Sequence, residues 1–190
     1  MKEVFAKKLK ENPIIAAVKN IENLDDALNS DCKIIFLLCG NIFNLKSVVQ
    51  KVREKGKLIF IHVDLIDGFS RDSVALKYIH EEIRPDGIIS TKNNQLKVAK
   101  ELGLLTVQRL FIIDSLSIQT TVKTSSLINP DAIEIMPGIM PRITKQLASK
   151  LDVPVIVGGL VSEKEDIENA IAGGALGVSS SSKKIWGIKL

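Results

Sequence analysis

Eight short apolar runs, each followed by a polar stretch, constrain this chain more than any other feature of its sequence. The runs are Ile14–Val18, Ile34–Cys39, Leu58–Val63, Gly87–Ser90, Leu104–Gln108, Ala132–Ile135, Val155–Val157 and Leu176–Ser179. Between them, Leu45, Val48, Val49 and Val52 fall at i, i+3, i+4 and i+7, the stripe of a helix buried on one side. Leu96, Ala99 and Leu102 keep helical spacing too, as do Ile167, Ala170 and Ile171. Runs such as I-I-F-L-L and L-I-F-I-H-V lack polar alternation, as expected of strands covered on both faces. A βα unit repeated eight times predicts a closed parallel barrel. With 190 residues, the chain reads as one domain over 1–190: a small α/β fold of the (β/α)8 TIM-like type with some short helices. The alternative is an open doubly wound sheet. That fold would place its phosphate loop after the first strand, where this sequence has only Val18-Lys19-Asn20.

The last two strands run into small residues. Pro154 to Leu160 reads P-V-I-V-G-G-L, and Ala175 to Ser182 reads A-L-G-V-S-S-S-S. The helix between them is expected to open with a capping box at Ser162 and Glu165 and to end at Gly173-Gly174. Gly158 and Gly159 allow the backbone to approach a ligand, and a following helix N-terminus favours an anion. In a barrel, the loops after strands seven and eight are the usual phosphate site. Gly158, Gly159, Ser180 and Ser181 therefore point to a phosphorylated small molecule.

Further polar groups fall at the C-terminal ends of other strands, where barrels collect their chemistry. They are His62 and Asp64, Lys92, then Gln108, Arg109 and Asp114, and lastly Glu134 inside an apolar strand. Alternation puts His62 and Asp64 on one face. A charge inside a strand is costly unless it is paired or faces a polar cavity. Glu134 and Arg109 therefore either pair within the barrel or serve a site. Glu134 or Asp64 could act as a general base and Lys92 as an amine electrophile, but no catalytic or metal motif ties these groups together. The residues alone leave enzyme and sensor open, and an isomerase, lyase or aldolase of a phosphorylated metabolite is the enzymatic alternative.

Composition narrows the setting. No apolar run approaches the roughly 18 residues of a membrane span, and the charged start M-K-E-V-F-A-K-K-L-K has no signal core. A cytoplasmic protein without a membrane partner is expected. Cys32 and Cys39 would lie roughly 23 Å apart along one strand, beyond disulfide reach. The net charge of +4 is compatible with a polyanionic partner. Basic residues gather at Lys7, Lys8 and Lys10, at Lys51, Arg53, Lys55 and Lys57, and at Lys183, Lys184 and Lys189. The first and third groups, near the two termini, are expected to form one patch.

Several unusual strings then occur in one order: H-V-D-L-I-D-G, G-I-I-S-T-K-N-N, Q-R-L-F-I-I-D-S, P-D-A-I-E-I-M-P-G, V-G-G-L and V-S-S-S-S-K-K-I-W. In these, the chain resembles the glycerol-3-phosphate-responsive antiterminators of bacterial glycerol uptake operons, from about Ile14 to Trp186. The resemblance implies a non-enzymatic regulator with no cofactor, which binds glycerol 3-phosphate as effector and leader mRNA as partner. A homo-oligomer is compatible with it. It implies phosphate at Gly158, Gly159, Ser180 and Ser181, and glycerol hydroxyls at Asp64 and Glu134 with Lys92 and Arg109 as cationic partners. Lys183 and Lys184 are the expected RNA contacts. Two departures stand out: S-T-K where the family commonly has S-T-R, and Asp67 where glutamate is common. Lysine keeps the charge at position 92 but not the bidentate fork.

Overall fold

In a computed structural model of residues 1–190, each of the eight apolar runs forms a strand. They are β1 (Ile14–Val18), β2 (Ile34–Leu37), β3 (Leu58–His62), β4 (Gly87–Ser90), β5 (Leu105–Phe111), β6 (Ala132–Met136), β7 (Val155–Gly158) and β8 (Gly177–Ser180). All neighbours pair in parallel, and β8 returns to β1, which closes the barrel in sequence order. The interior is filled by alternate residues: Ile15 and Ala17, Ile34 and Phe36, Leu58 and Phe60, Leu105 and Val107. Of the residues between them, Ala16, Ile35 and Ile59 face outward into the larger apolar layer under the helices. Gly87 makes room for Phe60, since a Cβ there would come within 2.5 Å of that ring.

A helix ahead of the first strand, α1 (Lys2–Glu11), closes the N-terminal end of the barrel. Its Phe5 and Leu9 join the interior cluster, with the Phe5 ring 4.9 Å from that of Phe60. Lys8 Nζ donates to Gly56 O at 2.8 Å and Asn12 Nδ2 to Asp31 O at 3.1 Å, both just upstream of strands. The sequence had not marked this helix as part of the core.

The outer layer continues with α2 (Leu24–Asn29), α3 (Leu45–Glu54), α4 (Ser73–Tyr78), α5 (Asn93–Glu101), α6 (Ser115–Ile128), α7 (Pro141–Ala148), α8 (Lys164–Ala172) and α9 (Lys183–Trp186). Helices α2, α4 and α9 are the short ones that the chain length demands. None of the helices is long and apolar enough to cross a membrane.

Three local expectations shift. Strand β3 stops at His62 and the chain turns through a 3-10 segment, Val63–Leu65, so strand alternation does not carry to Asp64. Strand β5 runs on to Phe111 because β6 pairs with it as far as Met136. The capping box of α8 lies one residue later at both ends, at Glu163 and Asp166. Asp166 accepts from both Ser162 N and Glu163 N, which holds its carboxyl below the usual range. The same helix ends at Gly173, as expected, with Gly174 in the left-handed region.

The expected joint basic patch does not form around Lys183 and Lys184. Helix α1 lies at the N-terminal end of the barrel, whereas α9 starts at the C-terminal end, directly after β8. Lys57 is not a surface charge at all: its Nζ donates to the carbonyls of Ala27, Ser30 and Cys32.

Removing the aromatic plug should expose the strength of this arrangement. Phe5→Ala is expected to lower stability in urea unfolding by about 3–5 kcal/mol, the usual range for a buried phenylalanine.

Candidate functional site

The inward parity that gives an apolar barrel floor changes character near the C-terminal ends of the strands. There the inward positions are Lys19 on the β1 exit, Arg109 on β5, Glu134 on β6 and Ser179 on β8. With Gly159 and Ser181 they line a cavity of about 100 Å³ in the barrel mouth.

Glu134 is fully buried. Its Oε2 accepts from Arg109 Nε at 2.6 Å, and its Oε1 from Ser179 Oγ at 2.5 Å. Gly158 permits this arrangement, because a Cβ there would stand 2.3 Å from Ser179 Oγ and 2.7 Å from Glu134 Oε1. The same glycine expected to open the backbone to a ligand therefore has a packing reason inside the barrel. Arg109 gives only Nε to Glu134; its two terminal nitrogens make no hydrogen bond within the protein.

The loops above carry the other donors. The N–H groups of Gly159, Leu160 and Ser181 have no hydrogen-bond partner in the protein. Gly159 has φ +77°, and Leu160 follows with φ +63°, a left-handed conformation that a leucine adopts only under constraint. A side chain at Gly159 would therefore strain the loop as well as crowd Met136, whose Cε would lie 2.7 Å from the new Cβ. Ser180 acts differently from Ser181. Its hydroxyl donates to Val161 O at 2.9 Å and accepts from Ser182 N at 3.2 Å, tying the β7 and β8 loops together.

Two expected members lie apart from this cluster. Asp64 turns to the β4 exit, where Oδ2 accepts from Thr91 N at 2.8 Å and Thr91 Oγ1 at 3.0 Å. Ser90 Oγ stands 3.1 Å from both of its oxygens. Lys92 is exposed at the N-cap of α5; its backbone N–H donates to Ser90 Oγ, and its side chain does not line the cavity. Lys183 and Lys184 flank the mouth on α9 and pair with Asp26 at 2.5 Å and Glu163 at 2.9 Å.

His62 points into the barrel beneath these groups and is 3% exposed. Burial above all, and then the Arg109 cation, push its pKa down to about 4, against a smaller pull from Asp64. Its Nδ1 is 3.9 Å from Asp64 Oδ2 and has no hydrogen bond; Gln108 Oε1 is likewise without a partner.

Lys19 was missed as a site residue, and Ser179, the first of the serine run, serves Glu134 rather than an anion. Their signal was strand parity: Lys19 continues the inward series Ile15, Ala17, and Ser179 stands two residues beyond the inward Gly177.

Fold and site together define a small (β/α)8 barrel whose cationic mouth presents unpaired backbone donors on the β7 and β8 loops. The profile of the glycerol-3-phosphate responsive antiterminator family matches residues 14–186, and the chain belongs to that family. It is 36% identical to the glycerol uptake operon antiterminator regulatory protein of Listeria monocytogenes, whose crystal structure superposes with a TM-score of 0.87 over 92% of this chain and 95% of that one. A glycerol uptake operon antiterminator-related protein from Thermotoga maritima is 26% identical, with a TM-score of 0.80 over 91% of this chain and 96% of that one. The uncharacterized Escherichia coli protein YgcP is 42% identical over 178 residues, covering 94% of this chain and 93% of its own.

The buried histidine gives a pH signature. Its folded pKa of about 4 lies below its ordinary 6.5, so between these values the unfolded chain binds more protons. Stability should therefore be fully present above pH 6.5 and decline as pH falls towards 4. Over that window, urea unfolding of the wild type is expected to lose about 3 kcal/mol more than that of His62→Gln.

Proposed function

We propose that this protein is an antiterminator that senses glycerol 3-phosphate in its barrel mouth. Once loaded, it binds leader mRNA and releases its effector chemically unchanged. The observation that carries the reading is the convergence of unused donors on one cavity. Arg109's terminal nitrogens, Lys19 and the N–H groups of Gly159 and Ser181 surround it without internal partners. Donors fixed in place before binding suit a phosphate, whose charge strengthens each bond. Membership of a family described as glycerol-3-phosphate responsive supports that compound as the effector.

Several features favour holding over turnover. Glu134 is engaged at both oxygens, by Arg109 and Ser179, rather than free to move a proton. His62 is buried outside the cavity lining, with no nucleophile hydrogen-bonded to it. No nucleophile–base–orienter set is assembled. Of the expected ligand residues, Gly159, Ser181 and Arg109 act directly in this proposal. Gly158, Ser180 and Glu134 shape the pocket, while Asp64 and Lys92 stand at its margin.

The proposed route to RNA is short. Helix α9 begins two residues after Ser181, and Trp186 Nε1 donates to Ser180 O at 2.7 Å. An effector gripping the Ser181 N–H would therefore fix the start of α9, and with it Lys183 and Lys184. Their pairs to Asp26 and Glu163 are solvent-exposed. Exposed pairs are worth at most about 1 kcal/mol and yield readily to nucleic acid phosphates.

Glycerol 3-phosphate at a hundred times its dissociation constant should raise stability by about 2.7 kcal/mol in thermal melts, with glycerol far less effective. Equal responses to the two compounds would remove the phosphate site from the account. With leader RNA, the double change Lys183→Gln and Lys184→Gln should reduce the slope of log affinity against log salt by about 1.4, at unaltered effector affinity. Appearance of a product during prolonged NMR incubation with glycerol 3-phosphate would favour the enzyme instead.

A further inference from the structure

An open polar groove lies beside the phosphate cavity. It has a volume of about 450 Å³ and is lined by the loops after β1, β2 and β3. Lys19 lines both spaces, so its side chain is their shared wall.

Its chemistry differs from that of its neighbour. Asn20, Glu22, Asn41, Asn44 and Asp67 face it, with Lys19 as its one cation. Two carboxylates against one amine disfavour a second anion and favour groups that donate hydrogen bonds. The loops are also held in place. Asp67 N donates to Gly40 O and Ile42 N to Asp67 O, both at 3.0 Å, joining the β2 and β3 exits. Asn41 Oδ1 accepts from Phe43 N and Asn44 N, and Asn44 Oδ1 accepts from Asn41 N. Each asparagine therefore uses its carbonyl oxygen on the loop and keeps its NH₂ group free. Neither the Asp67 carboxylate nor the Asn20 amide has a hydrogen-bonding partner in the protein. Free amide donors beside free carboxylate acceptors match the alternating needs of hydroxyl groups, each of which both donates and accepts.

We infer that this groove reads the polyol end of the effector, and that it accepts chains longer than three carbons, so that the ligand class is phosphorylated linear polyols rather than glycerol 3-phosphate alone. The inference rests on the mouth cavity being the phosphate site. Phosphate sits with Arg109, Gly159 and Ser181, Lys19 spans the junction, and the hydroxyls extend towards Asn20, Asn41 and Asp67. Asp64, turned towards Thr91, takes no part.

Calorimetric titration with inorganic phosphate, glycerol 3-phosphate and a pentitol 5-phosphate separates the two claims. The pentitol phosphate is expected to bind at least as tightly as glycerol 3-phosphate, and inorganic phosphate more weakly. Asp67→Ala and Asn20→Ala, which leave the Asn41–Asn44 turn intact, should each weaken the pentitol phosphate about tenfold while inorganic phosphate keeps its affinity. Rejection of the pentitol phosphate, or unchanged affinity in both variants, would overturn the polyol groove while leaving the phosphate site standing. Failure of all three compounds to bind would overturn the phosphate site and the groove together.

Discussion

Near the mouth of the barrel, one carboxylate makes four strands depend on one another. Glu134 on β6 has no solvent contact, and its charge is tolerable only because Arg109 on β5 and Ser179 on β8 complete it. Between these strands, β7 must carry a glycine at 158, since any side chain would displace the serine and the carboxylate. Breaking such a buried pair by removing one partner typically costs about 3–5 kcal/mol, because the other charge is left without compensation. The pair is thus a weak source of net stability and a strong source of position. It fixes the guanidinium under the mouth with its terminal nitrogens unoccupied, and the functional proposal rests on that orientation.

The two ends of the barrel divide the work. At the N-terminal end, Phe5 and Leu9 of α1 seal the interior with apolar surface, and Lys8 and Asn12 tie the helix to strand entrances. At the C-terminal end the loops leave backbone donors unsatisfied and hold Gly159 and Leu160 in left-handed conformations. Such local cost is sustained because Ser180, hydrogen-bonded to Val161 and Ser182, links the two loops rigidly. A sealed base gives the mouth a fixed frame, and the short α9 carries the frame's last loop outward to Lys183 and Lys184.

Much of this was legible in the sequence because burial on both faces leaves a strong signal. Strands β1 and β4 match their apolar runs residue for residue, and the glycine and serine loops stand at the mouth as expected. What escaped was set by tertiary geometry. Period-two reasoning put Asp64 beside His62, and the two do stand 3.9 Å apart, but β3 ends at His62 and a 3-10 turn commits the carboxylate to Thr91 rather than to the cavity. The N-terminal helix was hidden by its lysines, which cover an apolar stripe of only two buried residues. Lys19 carries no motif of its own, and only barrel closure sets its parity inward. Gly158 was read for backbone approach, and its side-chain packing reason required knowing that Glu134 and Ser179 meet across β7.

The central claim is that idle backbone N–H groups on the β7 and β8 loops grip the effector's phosphate. Amide-resolved NMR during titration with glycerol 3-phosphate tests this most directly. The largest shifts are expected on the N–H signals of Gly159 and Ser181, with the Arg109 guanidinium protons moving in parallel and saturating at the same ligand concentration. Binding that leaves those amides unmoved while signals elsewhere shift would contradict it.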